Sequence, residues 1–176
     1  MNFSFNKILI LGGFIGLCLC NITFFPEIYF GIRLGDIIDL GTYICSLAVV
    51  TGFELNYFKN RNIFDLILGG LFLIPVMFTP LLTDALMVFE ASTVVGIVNL
   101  VDAACIVLFL LIWAYKIKDS SALAFLALAG MAAIRVLLIL IPFRSFIPET
   151  GYFMLVVAIE IISSAICAFS AYIGEE

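Results

Sequence analysis

Histidine does not occur in this chain of 176 residues, and charged residues make up only 12% of it. Histidine is the commonest metal ligand in proteins and a frequent catalytic base. Its absence excludes catalysis by a serine, histidine and aspartate triad, haem ligation through histidine, and zinc sites built on histidine. We therefore expect neither a metal site nor a bound cofactor.

Other catalytic patterns are missing as well. The sequence contains no G-x-x-x-x-G-K-[ST] segment for nucleotide hydrolysis by a P-loop. It also has no G-x-G-D segment to accompany a second intramembrane aspartate, which weighs against an intramembrane aspartyl protease. All four lysines lie at the ends of apolar runs, so a Schiff base inside the bundle is not expected. We predict that the protein is not an enzyme.

Cysteine and basic residues are also informative by their pattern. The five cysteines form no C-x-x-C pair and lie within apolar runs, which is typical of small packing residues. The formal net charge is −5, whereas nucleic-acid binding needs a basic surface. No nucleic-acid partner is expected.

Hydrophobic residues, by contrast, make up 65% of the chain, against roughly half in soluble proteins. They form continuous apolar segments, each long enough to cross a bilayer, which takes about 20 residues of helix. The sequence therefore predicts an all-α fold, a polytopic membrane bundle that forms a single transmembrane domain over residues 1–176 in contact with the lipid bilayer. The six predicted helices are 7–26, 36–57, 62–82, 91–115, 120–142 and 149–173.

The distribution of basic residues predicts how this bundle is oriented. Short cytoplasmic loops of membrane proteins carry an excess of lysine and arginine. The N-terminal segment and the second and fourth loops hold five such residues: Lys7, Lys59, Arg61, Lys116 and Lys118. The other three loops hold two, Arg33 and Arg144. We predict that both termini are cytoplasmic in a multi-pass protein of the cell membrane.

Three ionisable side chains lie inside predicted spans: Asp102, Arg135 and Glu160. A charge near the bilayer centre costs at least a few kcal/mol, so it faces other helices or a water-filled cavity. Helical periodicity places Asn99 one turn from Asp102, and Ser163 and Ser164 beside Glu160. Because consecutive helices are antiparallel, the three charges come to comparable depth. We predict one cluster of Asp102, Arg135, Glu160, Asn99, Ser163 and Ser164.

Two interpretations of this cluster remain open. In the structural one, Arg135 pairs with one or both acids and fixes how the last three helices pack, because an unpaired buried charge is costly. In the functional one, two acids share one cation, and the spare carboxylate takes up a proton or an ion.

The third predicted span contains several residues that disfavour a regular helix. Gly69, Gly70 and Pro75 lie within one crossing, and proline removes a helical hydrogen bond. Transporters use broken helices to expose backbone groups to a substrate near the midplane. The alternative is a passive kink whose free groups are satisfied by neighbouring helices.

Small residues predict close helix contacts. Gly12-x-x-x-Gly16 lies in the first span and Gly130 in the fifth. Such residues let two helix backbones approach closely, either inside the bundle or in a contact between subunits.

Three functions are compatible with these patterns. The first is a solute- or ion-transport component, in which the charged cluster and the broken third span handle the permeant species. The second is a non-catalytic subunit of a larger membrane complex, and the third is a membrane sensor or anchor that acts through a partner. In each case we expect a homo-oligomer or an association with other membrane subunits.

Overall fold

The computed structural model describes residues 4–30, 35–78, 92–141 and 146–173. Within these ranges the chain forms six helices and no β-strand, so the all-helical prediction is confirmed. The helices are α1 (Phe5–Phe30), α2 (Gly35–Asn60), α3 (Ile63–Leu73, continued by a π-helical segment, Ile74–Phe78), α4 (Ser92–Ile117), α5 (Ala122–Leu140) and α6 (Glu149–Ile173).

Five of these helices, all except α3, are long and apolar enough to cross a membrane. The third predicted span corresponds to a shorter apolar helix, Ile63–Val76. Its predicted last residues, 79–82, lie outside the described part of the chain.

The helices form a ring in chain order. Each of the first five helices packs against the next one, and α6 packs against both α5 and α1, which closes the ring. The contact between α6 and α1 is extensive, whereas the contact between α5 and α6 is the least extensive of the ring.

The connection between α2 and α3 consists of two residues, and hydrogen bonds cap both helix ends. Arg61 adopts a left-handed conformation (φ 55°) and its N–H donates to the carbonyl oxygen of Tyr57 at 2.7 Å, which ends α2. The side chain of Asn62 then accepts a hydrogen bond from the N–H of Phe64 at 3.0 Å, which begins α3. This two-residue connection makes α2 and α3 antiparallel neighbours.

The contact between α1 and α2 depends on glycine. A Cβ atom at Gly13 would lie 2.5 Å from Val49 Cγ2 and 2.6 Å from the carbonyl oxygen of Cys45. A Cβ at Gly16 would likewise collide with the Cys45 thiol. The absence of a side chain at both positions therefore lets the two backbones approach closely.

Of the predicted pair Gly12 and Gly16, only Gly16 contacts α2, and the second glycine of this contact is Gly13. Gly12 is exposed, because it lies about 100° around the helix from Gly13. Gly130 on α5 is exposed too. A Cβ at either position would meet no atom of the described chain within 4 Å, so neither glycine packs against another of these helices.

An aromatic cluster joins the first four helices. It consists of Phe14, Phe53, Phe72, Phe109 and Trp113. Ring centroids are 5.3 Å apart for Phe14 and Trp113, 5.4 Å for Phe53 and Trp113, and 5.1 Å for Phe72 and Phe109. Such pairs contribute about 0.5–1.5 kcal/mol each beyond the area they bury. The cluster is the centre of the apolar core.

We predict that Gly13→Ala lowers the thermal stability of the protein in detergent, by about 1–3 kcal/mol, because the added methyl group overpacks the contact with backbone atoms of α2. Gly12→Ala is the matched control, since its methyl group meets no described atom. Thermal unfolding of the two variants beside the wild type measures the difference. Equal stabilities of the two variants would contradict this account of the α1–α2 contact.

Candidate functional site

A cavity of about 230 Å³ lies between the helices, and we call it the arginine cavity. All six helices contribute to its lining. Its apolar wall includes Phe14, Phe72 and Phe109 of the aromatic cluster. Its polar lining consists of Asn21, Thr42, Ser46, Arg135, Glu160, Ser163 and Ser164. The cavity therefore combines charged and hydroxyl groups inside an apolar bundle.

An ion pair between α5 and α6 borders this cavity. Arg135 Nη1 lies 2.6 Å from Glu160 Oε1, and Arg135 Nη2 donates to Ser163 Oγ at 3.3 Å. The Arg135 side chain is 13% exposed and that of Glu160 is 35% exposed. A charge-assisted hydrogen bond of this kind is stronger than a neutral one. Each of the two charges therefore compensates the other at the contact between α5 and α6.

The structure brings together four of the six residues predicted to form one cluster. Arg135, Glu160, Ser163 and Ser164 all line the arginine cavity. Asn99 is exposed on α4 and Asp102 is partly buried there, but neither belongs to the cavity lining. The ion pair of Arg135 joins it to Glu160.

Asp102 lies one helical turn from a residue of the cavity lining. Ile106, one turn further along α4, does line the cavity. Residues four apart share a helix face and are separated by about 6 Å along the axis. Asp102 is thus on the cavity-facing side of α4, about one turn beyond the cavity.

Two hydroxyl side chains in the cavity, those of Thr42 and Ser46 on α2, were not predicted. Ser46 on α2 is 1% exposed and lines the arginine cavity. Its Oγ, like Arg135 Nε, has no hydrogen-bond partner among the described residues. Buried polar groups nearly always have such a partner, or an ordered water. The helical spacing of Thr42, Ser46, Val49 and Phe53 is the sequence signal that places Ser46 on the inner face.

The irregular part of α3 also reaches the cavity. Pro75 and Val76 line it, and both lie in the π-helical segment. π-Helical turns are rare and frequently occur at functional sites. Gly69 and Gly70, in contrast, lie in regular α-helix. A Cβ at Gly69 would lie 3.0 Å from Glu54 Oε1, so the absence of a side chain there allows the contact with α2. A Cβ at Gly70 would meet no described atom within 4 Å. Within the described part of the third predicted span, residues 62–78, the irregular helix is the segment that contains Pro75.

A second cavity, of about 560 Å³, lies at the opposite side of the aromatic cluster, and we call it the lysine cavity. Phe53 and Trp113 line it. Its lining also contains Lys116, which forms an ion pair with Asp65, a carboxylate only 1% exposed. The aromatic cluster thus contributes rings to both cavities and lies between them.

Comparison with models of known protein families, with curated proteins and with solved structures gives no match. The site is therefore interpreted from its own geometry.

We predict that Arg135→Met and Glu160→Gln each destabilise the protein, by about 3–5 kcal/mol, because each leaves the other charge uncompensated. The double variant should lose less stability than the sum of the two single losses, since it removes both charges. Thermal unfolding of the four proteins in detergent measures this coupling. Asp39→Asn is the control, because Asp39 is an exposed carboxylate on α2. Additive losses would show that the ion pair does not stabilise the bundle.

Proposed function

We propose that the protein is an integral membrane protein of the cell membrane, that all six helices cross the bilayer, and that it acts in the transport of ions or small solutes. The five long apolar helices support the membrane location. Lys7, Lys59 and Lys116 lie around one cavity, at the end of the bundle that the distribution of basic residues assigns to the cytoplasm. Both termini would then be cytoplasmic.

The observation that carries the transport proposal is the arginine cavity itself. A purely structural ion pair needs only its partner and close packing around it, and protein interiors contain few voids larger than a water molecule. Here the pair of Arg135 and Glu160 borders a cavity of about 230 Å³ instead. The same cavity receives the hydroxyl of Ser46 and the irregular turn at Pro75. These are the parts of a binding site inside a membrane bundle.

The residues suggest how such a site would work. Glu160 is the carboxylate that can release Arg135 and accept a proton or a cation, because its side chain is the more exposed of the pair. Ser46 and Ser163 supply hydroxyl oxygens as further ligands. The aromatic cluster lies between the arginine cavity and the lysine cavity. It would therefore act as the barrier that a permeant species has to pass.

We predict that the wild-type protein in liposomes moves protons or sodium ions. Liposomes loaded with a pH-sensitive dye would be tested under a potassium diffusion potential and under a sodium gradient. Glu160→Gln should reduce the flux to the rate of protein-free liposomes, because it removes the carboxylate that would take up the proton or cation. Folded protein is quantified before reconstitution, since Glu160→Gln also affects stability.

Asp39→Asn is the matched control and should retain the wild-type rate. Wild-type flux equal to that of protein-free liposomes under both driving forces would contradict the proposal. A wild-type rate in Glu160→Gln would contradict it as well.

A second candidate function is that of a subunit in a homo-oligomer or a larger membrane complex. The observation in its favour is the exposure of Gly12 on α1 and Gly130 on α5. Small residues at helix–helix contacts allow close approach in membranes. Because these two glycines make no such contact with the described helices of their own chain, they are available to another chain.

We predict that the particle purified from native membranes in mild detergent is heavier than one chain of 19.4 kDa with its detergent. Its mass and the identity of every chain in it separate a homo-oligomer from a complex. Gly12→Leu and Gly130→Leu should reduce the mass, because the larger side chain keeps a partner helix away. Ile97→Leu should not, because this exposed position on α4 already carries a large side chain. A particle of one chain only would exclude this candidate.

A further inference from the structure

We propose that the lysine cavity binds a phosphate group, carried either by an anionic phospholipid or by a soluble phosphate compound. This site is separate from the arginine cavity and does not depend on the proposed transport function. Its volume of about 560 Å³ lies within the roughly 300–1,000 Å³ usual for small-molecule sites.

Three lysines from three different helices line this cavity. They are Lys7 at the start of α1, Lys59 at the end of α2 and Lys116 at the end of α4. Among the described lining residues the acidic side chain is Asp65, which is buried and forms an ion pair with Lys116. Three positive charges and one negative charge give this described part of the lining a formal charge of +2. This charge favours an anion over a neutral or cationic ligand.

Neutral hydrogen-bonding groups surround the same space. The amides of Asn56, Asn60 and Asn62 line the cavity. Ser170, from the last turns of α6, lines it as well and is 0% exposed. The Ser170 Oγ has no hydrogen-bond partner among the described residues. Phosphate oxygens accept hydrogen bonds from ammonium, amide and hydroxyl groups alike, so one ligand group would satisfy several of these donors.

The ordinary alternative is that lysines at the ends of membrane helices only extend into water. Lys118 behaves in this way: it is exposed, its Nζ lies 4.1 Å from the centroid of the Tyr115 ring, and it does not line the cavity. Lys7, Lys59 and Lys116 instead line one cavity together with the buried Ser170. Basic pockets between membrane helices on the cytoplasmic side are known to bind phospholipid head groups. The geometry therefore favours a phosphate site over three separately solvated charges.

The test is the thermal stability of the full chain in neutral detergent as a probe is added. The probes are phosphatidylglycerol, phosphatidylcholine as the lipid with no net charge, and inorganic phosphate. A rise in stability with phosphatidylglycerol and not with phosphatidylcholine would identify the lipid as the source of the phosphate group. A rise in stability with inorganic phosphate that is as large as the rise with phosphatidylglycerol, or that occurs without one, would identify a soluble source. No rise with either anionic probe would overturn the proposal.

Variants show whether this rise depends on the lysine cavity. K7Q/K59Q should raise the half-saturating concentration of the effective probe roughly 30-fold, at about fivefold for each lysine. K118Q is the matched control and should leave it unchanged. Should the double variant not fold, K59Q alone decides the matter, because Lys59 is exposed and its expected effect is about fivefold. A concentration unchanged in these cavity variants, or raised equally in K118Q, would overturn the proposal.

Discussion

The guanidinium of Arg135 requires a negatively charged partner in an apolar bundle, and this requirement organises the interior of the protein. Glu160 meets it from the neighbouring helix, and Ser163 adds a hydrogen bond one turn further along α6. Among the described helices the contact between α5 and α6 is the least extensive of the ring, so this ion pair joins the two neighbours that pack least against each other. The same pair keeps two charges at the edge of a cavity, where they remain accessible to a small polar species.

The aromatic cluster separates two polar cavities in the interior of the protein. Phe14, Phe72 and Phe109 face the arginine cavity, whereas Phe53 and Trp113 face the lysine cavity. Polar groups are therefore collected in two places that differ in chemistry. One cavity is small and contains a compensated ion pair, and the other is larger and carries an excess of positive charge. Rings that contact one another edge to face hold these two environments apart without introducing a polar group between them.

Much of this architecture could be predicted from the sequence, because long apolar runs and the cost of intramembrane charge are properties of single segments. The positions of the helices follow from those properties, and so does the presence of Arg135, Glu160 and Pro75 in the candidate site. Rotation and axial offset between helices do not, since they result from packing. For this reason the prediction named Gly12 with Gly16 although Gly13 is the glycine that faces α2, and it included Asp102, which does not line the arginine cavity. The pairing of Asp65 with Lys116, 51 residues apart, could not be predicted from local charge patterns.

α1 is the first helix of the ring to be synthesised and α6 the last, yet the two pack extensively against each other. At about 5–20 residues per second, roughly 6–24 s pass between the emergence of Phe30 at the end of α1 and of Glu149 at the start of α6. During this interval the side of α1 that later meets α6 is without its partner helix. The thiol of Cys18, which in the finished ring lies 3.8 Å from the carbonyl oxygen of Ile161, belongs to that side. The ring can therefore close only after α6 has been synthesised, and until then the earlier helices form an open row.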